Sequence, residues 1–280
     1  MAAIDIDSIR TAAGEGLRVT LVDRIESTNR TLMTAPFESL PAPPHLLVAQ
    51  CQTAGRGRQG RNWLMEPGRS AAFSVAVERL AAGARPMTGL SIAIGVALAE
   101  VLATLAGPVE LKWPNDLQRA GRKLGGILIE SRRSVGAASI ERCVIGVGLN
   151  LLAPQATGDL IGQPAAGLFD GDRLAVPAGE IVGRAARAVL AATEGFVAAG
   201  LAPFADTWRR LDALQGREIE VLAGGRVEAR GVAQGIDGEG ALLIDTPAGR
   251  LPVRWGEVSV RPFERLASAG GQAGGAVGSG

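Results

Sequence analysis

VELKWPNDLQRAGRKLGGILIESRRSVGAASIERCVIGVGLNL, Val109 to Leu151, is the stretch that decides the fold class. Its apolar runs VELKW, KLGGILIES and ERCVIGVGLNL are short. They are separated by PND, QRAGR and RRSVGAAS, which are turn-forming. Short β-type runs joined by turn residues predict an antiparallel meander. Helical periodicity stands on either side of it, at Thr88–Gly107 and over residues 178–213, with Pro177 and Pro203 near the starts of the second region. A β-rich centre flanked by helices is therefore expected, with the sheet topology left open.

Further out, VTLVDRIESTN places a β-type run, Val19 to Val22, ahead of a Ser-Thr-Asn helix cap. HLLVAQCQ and AAFSVAVERL read as two more strands. Residues 1 to about 20 show little pattern. After Gly216 come REIEVL, RVEARGVAQGI, ALLIDT and GRLPVRW, with Gly224–Gly225, Gly238 and Gly249 at the turns. This is the pattern of a small SH3-like β module. The end of the chain, ASAGGQAGGAVGSG, is low-complexity and expected to be disordered. These shifts divide the chain at 1–214, 215–265 and 266–280.

A formal net charge of +1 gives no global basic field for nucleic acid. Cys51 and Cys143 form no CxxC pair and neither lies near His45, the sole histidine, so neither a zinc site nor a disulfide framework is indicated. No secretory signal opens the chain, which makes the cytoplasm the expected compartment. Thr88–Gly107 has the length of a membrane span. Glu100 within it, its Ala and Gly content and the lack of basic flanks make it a buried core helix instead. No membrane association is expected.

The chemistry concentrates in CQTAGRGRQGRNW, Cys51–Trp63, where arginines and glycines crowd together without a carboxylate. Arginine keeps its proton and favours planar anions, carboxylate or phosphate. GRGRQG formally matches GxGxxG, but Pro67–Gly68 breaks any helix that should follow, and Arg61–Asn62 stand where a Walker loop needs Lys and Ser/Thr. A loop that closes over an anion fits better, with Trp63 free to stack on a ring. KWPND presents Lys112, Asn115 and Asp116 at a strand end, although a plain Asx turn gives the same letters. KLGGILIE opens with Lys123, and Gly125–Gly126 then leave the strand bare. GVGLN repeats the device and ends on Asn150. Glycine inside a strand marks close approach of another group, a bulge or tight packing. Two such strands suggest a groove for a flat ligand.

Taken together and in this order, STN (27–29), QTAGRGRQGRNW (52–63), KWPNDL (112–117), KLGGILIE (123–130) and GVGLN (146–150) resemble the biotin protein ligase family, and GIDGEGALLID (235–245) resembles its C-terminal β domain. The resemblance implies an α+β fold of the class II synthetase type. That is a mixed, largely antiparallel sheet with helices on one side, a catalytic biotin- and ATP-binding domain, followed by an SH3-like β-barrel. It implies joining of biotin to ATP with Mg²⁺, forming biotinyl-5′-AMP, and transfer to a lysine of a biotin carboxyl carrier domain of acetyl-CoA carboxylase or a related carboxylase. Carried over by motif position, Ser27, Thr28, Asn29 and Gln52 line the biotin site, with Gly125 and Gly126 beside it. Arg56, Gly57 and Arg58 close over carboxylate and phosphates. Lys123 faces the biotin carboxylate, and Trp63, Lys112, Asn115, Asn150 and Arg58 serve the nucleotide. Arg58, Lys123 and Asp116 are the implied catalytic groups, Asp116 toward the incoming amine. No protein metal ligands are implied, because Mg²⁺ is held mainly by the phosphates.

Gln59 stands where many members of the family carry a further arginine. Some members also have an N-terminal helix-turn-helix domain. STN already at residue 27 leaves no room for it, so a ligase without nucleic-acid binding is expected, as a monomer or weak homodimer. Two alternatives remain at this stage: a lipoate or octanoate ligase of the same fold, and a biotin-sensing module without turnover.

Overall fold

A computed structural model describes residues 3–254 and 258–263, apart from 39, 83, 85, 135–138 and 156–163. The expected disordered tail at 266–280 lies outside the described residues. From the N-terminus run α1 (Ile6–Ala13), β1 (Arg18–Ile25), α2 (Thr28–Thr34), β2 (His45–Gln52), β3 (Ser70–Leu80) and α3 (Leu90–Ala106). The meander follows as β4 (Glu110–Lys112), β5 (Asp116–Arg119), β6 (Arg122–Arg133) and β7 (Ile140–Asn150). Then come α4 (Ala178–Ala199), α5 (Ala205–Leu211) and β8 (Glu218–Ala223), β9 (Arg226–Ile236), β10 (Leu242–Thr246), β11 (Gly249–Val253) and β12 (Val258–Pro262).

The first seven strands form one sheet in the order β1-β2-β3-β7-β6-β5-β4. Only β1 and β2 run parallel, and every other neighbouring pair is antiparallel. Alternation along the central strands assigns two faces, since successive side chains point to opposite sides. Phe73 and Val75 of β3 and Ile145 and Val147 of β7 turn to a large core, where Ile92, Ile94 and Leu98 of α3 meet Ile181, Val182 and Val189 of α4. The Thr88–Gly107 segment is thus the expected core helix, and among the described residues no helix is long and apolar enough to cross a membrane. The opposite face carries a small cluster in which Leu32 of α2 packs on Leu47, Ala76 and Val144. The long helices share one side, and the short α2 occupies the other.

An eight-residue helix, α1, occupies a region read from sequence as patternless. The Asp5 carboxylate caps it, accepting from the Ser8 amide at 2.8 Å, and it buries Ile9 and Ala13. The last five strands make a second, wholly antiparallel sheet, β11-β10-β9-β8-β12. The segment leading into it is tied to the first sheet where Ala213 N donates to Leu111 O at 2.8 Å. The buried Trp113 Nε1 also donates to Gly240 O, at 3.0 Å.

Candidate active site

A cavity of about 460 Å³ opens on the α2 side of the large sheet. One end is neutral and polar. Ser27 caps α2, its hydroxyl accepting from Arg30 N, and this turns Thr28 and Asn29 down onto the sheet, where both are buried. The Gln52 carbonyl accepts from Thr28 N at 2.7 Å and from its hydroxyl at 3.0 Å. The Thr28 hydroxyl also lies 2.7 Å from Ser74 Oγ, which donates to Asn29 Oδ1 at 2.6 Å. Gly146 makes room for this arrangement, because a Cβ there would stand 2.2 Å from Asn29 Oδ1.

The other end is cationic. The arginine loop folds back on itself, with Gly57 N donating to Arg61 O at 2.7 Å and Trp63 N to Gly55 O at 2.9 Å. Arg58 Nη1 reaches Asn115 Oδ1 at 3.2 Å, and Asn115 Nδ2 is tied to Ile127 O at 2.9 Å. Trp63 lies over Gly148, where a Cβ would come within 2.4 Å of the indole. Its Nε1 is buried and has no hydrogen-bond partner among the described residues. Lys123 Nζ donates to Asp116 Oδ1 at 2.7 Å, and Asn150 Nδ2 approaches Lys123 O at 3.3 Å. Burial lowers the pKa of Lys112 most; Asp116 opposes this, while Lys123 and Arg61 add to it. Burial likewise lowers that of Arg58, again with Asp116 opposing and Arg61 reinforcing. Burial is thus the main pressure on both cations.

A bulge in β6 aims the lysine. Leu117 pairs with Gly125 but Gln118 with Lys123, leaving Leu124 as the extra residue. Leu124 turns into the core and Lys123 into the cavity. Strict alternation back from Gly126 would have reversed the two.

The structure brings Ser27, Thr28, Asn29, Gln52, Arg56, Gly57, Arg58, Trp63, Lys112, Asn115, Asp116, Lys123, Gly126 and Asn150 to this one cavity. Gly125 is the exception and corrects the sequence reading. Its missing Cβ faces Gly148 O, Leu149 and Leu117, so its bareness serves packing between strands. The space above Gly146 and Gly148 is likewise filled by Asn29 and Trp63 rather than left as a bare groove. Sequence reasoning missed Ser74, Arg61, Arg69 and, from the second sheet, Ser259 and Val260, all of which line the cavity. Arg61 lay inside the quoted loop and could have been included. Ser74 and Ser259 carry no local signal.

The sequence matches the family model of the biotin/lipoate A/B protein ligases over residues 21–150, and that of the biotin protein ligase C-terminal domain over residues 215–261. It is 34% identical over 262 residues to the bifunctional ligase/repressor BirA of Salmonella typhimurium, covering 93% of this chain and 79% of that protein. The chain belongs to the biotin protein ligase family. A biotin–[acetyl-CoA-carboxylase] ligase of Paracoccus denitrificans is also 34% identical, over 244 residues, covering 85% of this chain and 98% of that one. Among solved structures, the biotin protein ligase of Aquifex aeolicus in complex with biotin and ATP shares the fold, with a TM-score of 0.70 at 24% identity over 88% of this chain and 99% of that one.

For a ligase of this family, the division of the cavity has a chemical consequence. Hydrogen-bonding groups without net charge suit an uncharged polar ring, and clustered Arg and Lys suit carboxylate and phosphate. Among the described residues no group of three or more His, Cys, Asp or Glu stands together to hold a metal ion. The carboxylates of the lining, Asp116 and Glu66, face Lys123 at 2.7 Å and Arg69 at 3.9 Å, and Glu130 beside the lining pairs with Arg56.

Proposed function

We propose that this chain uses ATP to attach biotin, by way of biotinyl-5′-AMP, to one lysine of the biotin carboxyl carrier domain of acetyl-CoA carboxylase or a related carboxylase. The observation that carries this reading is the two-ended cavity, with Thr28, Asn29 and Gln52 at one end and Arg58, Lys112, Lys123 and Trp63 at the other. The ureido ring meets the polar end, and its carboxylate points toward Lys123. ATP lies with its adenine against Trp63 and its phosphates among the arginines.

In the first step a carboxylate oxygen of biotin attacks the α-phosphorus and pyrophosphate leaves. Two anions must approach one another, so fixed positive groups lower the barrier electrostatically and by alignment. In the second step the carrier lysine amine attacks the acyl carbon and AMP leaves. Asp116, held by Lys123 at 2.7 Å, is placed to orient or accept a proton from that amine. Mg²⁺ would be held mainly by the nucleotide's phosphates and would offset their charge there, since among the described residues no group of carboxylates stands together to bind it. The loop shields the mixed anhydride from water.

The test combines protein, ATP, Mg²⁺, biotin and a carrier domain and reads the carrier's mass. A gain of one biotinyl group is expected, absent with lipoate in place of biotin and lost in Arg58→Ala and Lys123→Ala. Lipoate transfer would overturn the substrate. Biotin binding without any labelling would turn the reading toward a sensor.

A further inference from the structure

We infer that Glu130 is a positioning residue that couples closure of the arginine loop to occupancy of the polar end of the cavity. The inference rests on the proposed function in taking that end as the biotin site. Glu130 lies near the end of the KLGGILIE strand, on the same face as the cavity but outside its lining. Its carboxylate accepts from Asn29 Nδ2 at 2.9 Å and from Arg56 Nη2 at 3.2 and 3.4 Å. It is thus shared between the buried floor and the loop.

The floor side of this link is fully committed. Asn29 is 3% exposed, its Oδ1 is taken by Ser74, and its Nδ2 serves Leu128 O at 3.2 Å as well as Glu130. Ser74 continues to Thr28 and Thr28 to Gln52, so one hydrogen-bonded chain runs from Gln52 to Arg56. The chain has an ambiguity at its centre. Since Ser74 gives its proton to Asn29, the single Thr28 hydroxyl proton has two acceptors, Gln52 Oε1 and Ser74 Oγ. A ligand N–H donated to Gln52 Oε1 frees that proton for Ser74, and linked hydrogen bonds in a dry site polarise one another in one direction. The effect arrives at Asn29, then at Glu130, then at Arg56.

The loop side is weak by design of its setting. Arg56 and Glu130 side chains are 43% and 28% exposed, and ion pairs that meet water hold only weakly. Such a pair lets the loop open and close, and a modest gain at the floor end shifts its balance. By linkage, the factor by which biotin favours closure is the factor by which closure favours biotin.

The test uses the whole chain. Trypsin cleavage within Arg56–Arg61 is timed with and without saturating biotin, and biotin affinity is measured by calorimetry. Wild type is compared with Glu130→Gln, which keeps an acceptor for Asn29 but no charge for Arg56, and with Glu130→Ala. Biotin is expected to slow loop cleavage in wild type. In Glu130→Gln the protection and the affinity should both fall by about two- to five-fold, with the ligand-free melting temperature held. Glu130→Ala should fall further. Unchanged protection in Glu130→Gln, with biotin bound as in wild type, overturns the coupling alone. Lower melting temperature with unaltered biotin dependence means a structural role and overturns it too. Failure of wild type to bind biotin overturns the functional reading and the coupling with it.

Discussion

Two missing methyl groups shape the cavity, one at each end of a two-residue step along β7. A Cβ at position 148 would lie 2.4 Å from the Trp63 indole and one at position 146 would lie 2.2 Å from Asn29 Oδ1. Neither distance is tolerable, so each substitution displaces a different side chain. Gly148→Ala should raise the KM for ATP about ten-fold or more and leave biotin affinity nearly unchanged, and Gly146→Ala should do the reverse. Pyrophosphate exchange and calorimetry separate the two. Lys112 makes a second prediction. Its folded pKa lies below the ordinary lysine value of 10.5, chiefly through burial. Between the two values the unfolded chain binds more protons than the folded one, so stability rises with pH through that window, and the penalty is fully present below it. Lys112→Met should therefore raise stability toward denaturant at neutral pH, flatten its rise at alkaline pH and abolish ATP-dependent turnover. At this scale the sequence was legible where chemistry is unusual, as in an arginine-rich loop that carries no carboxylate of its own. It was not legible where identical letters face opposite ways: Gly125 and Gly126 differ only in which side of β6 they bare.

Among elements, α2 is the one whose placement matters most, because its first turn carries Thr28 and Asn29. Its other end is held by Arg142 of β7, which donates to Leu32 O at 2.7 Å and Ala35 O at 2.6 Å, and also to Pro36 O and the Glu78 carboxylate. The ring of Phe37 lies under the same guanidinium, 4.8 Å from its carbon, and under that of Arg132 at 4.4 Å. Arg142 and Glu78 side chains are only 4% and 8% exposed. Removing one partner of a buried pair leaves the other charge uncompensated, at about 3–5 kcal/mol. Arg142→Met should lose about that much in urea unfolding and weaken biotin binding as α2 loosens. Adding Glu78→Gln should recover a large part of the stability but little of the affinity, since Leu32 O and Pro36 O lose their Arg142 donor. None of this was legible in advance. Arg142 and Glu78 sit in strands read for their apolar residues, and their partners lie far away in sequence. The β-runs and the long helices were legible from their periodicity. The parallel pairing of β1 with β2 was not, and α1 was missed because it buries only Ile9 and Ala13. The bulge at Leu124 was also hidden, since a period-two reading of KLGGILIE turns Lys123 away from the cavity.

For the whole molecule, the question is what the second sheet does for a cavity built mainly on the first. Its contribution to the lining is small, Ser259 and Val260 of β12, but its attachment falls at a sensitive place. Trp113 belongs to the KWPND turn that also presents Lys112, Asn115 and Asp116, and its indole donates at 3.0 Å to Gly240 O, just ahead of β10. One buried residue thus fixes both the turn that serves the nucleotide end and the seat of the second sheet. The sequence marked the turn for its polar residues. Trp113 reads as a core side chain, because nothing local says that its partner lies 127 positions on. Trp113→Phe keeps a ring in the 2% exposed site but removes the donor, leaving the Gly240 carbonyl buried without it. Such a loss costs about 1–3 kcal/mol. If the second sheet only rides on the first, the variant should melt lower and turn over normally below its melting temperature. With the joint positioning Asn115 and Asp116, the expected result is different: kcat for carrier labelling falls about ten-fold at temperatures where the protein is fully folded, while calorimetric biotin affinity stays near that of wild type.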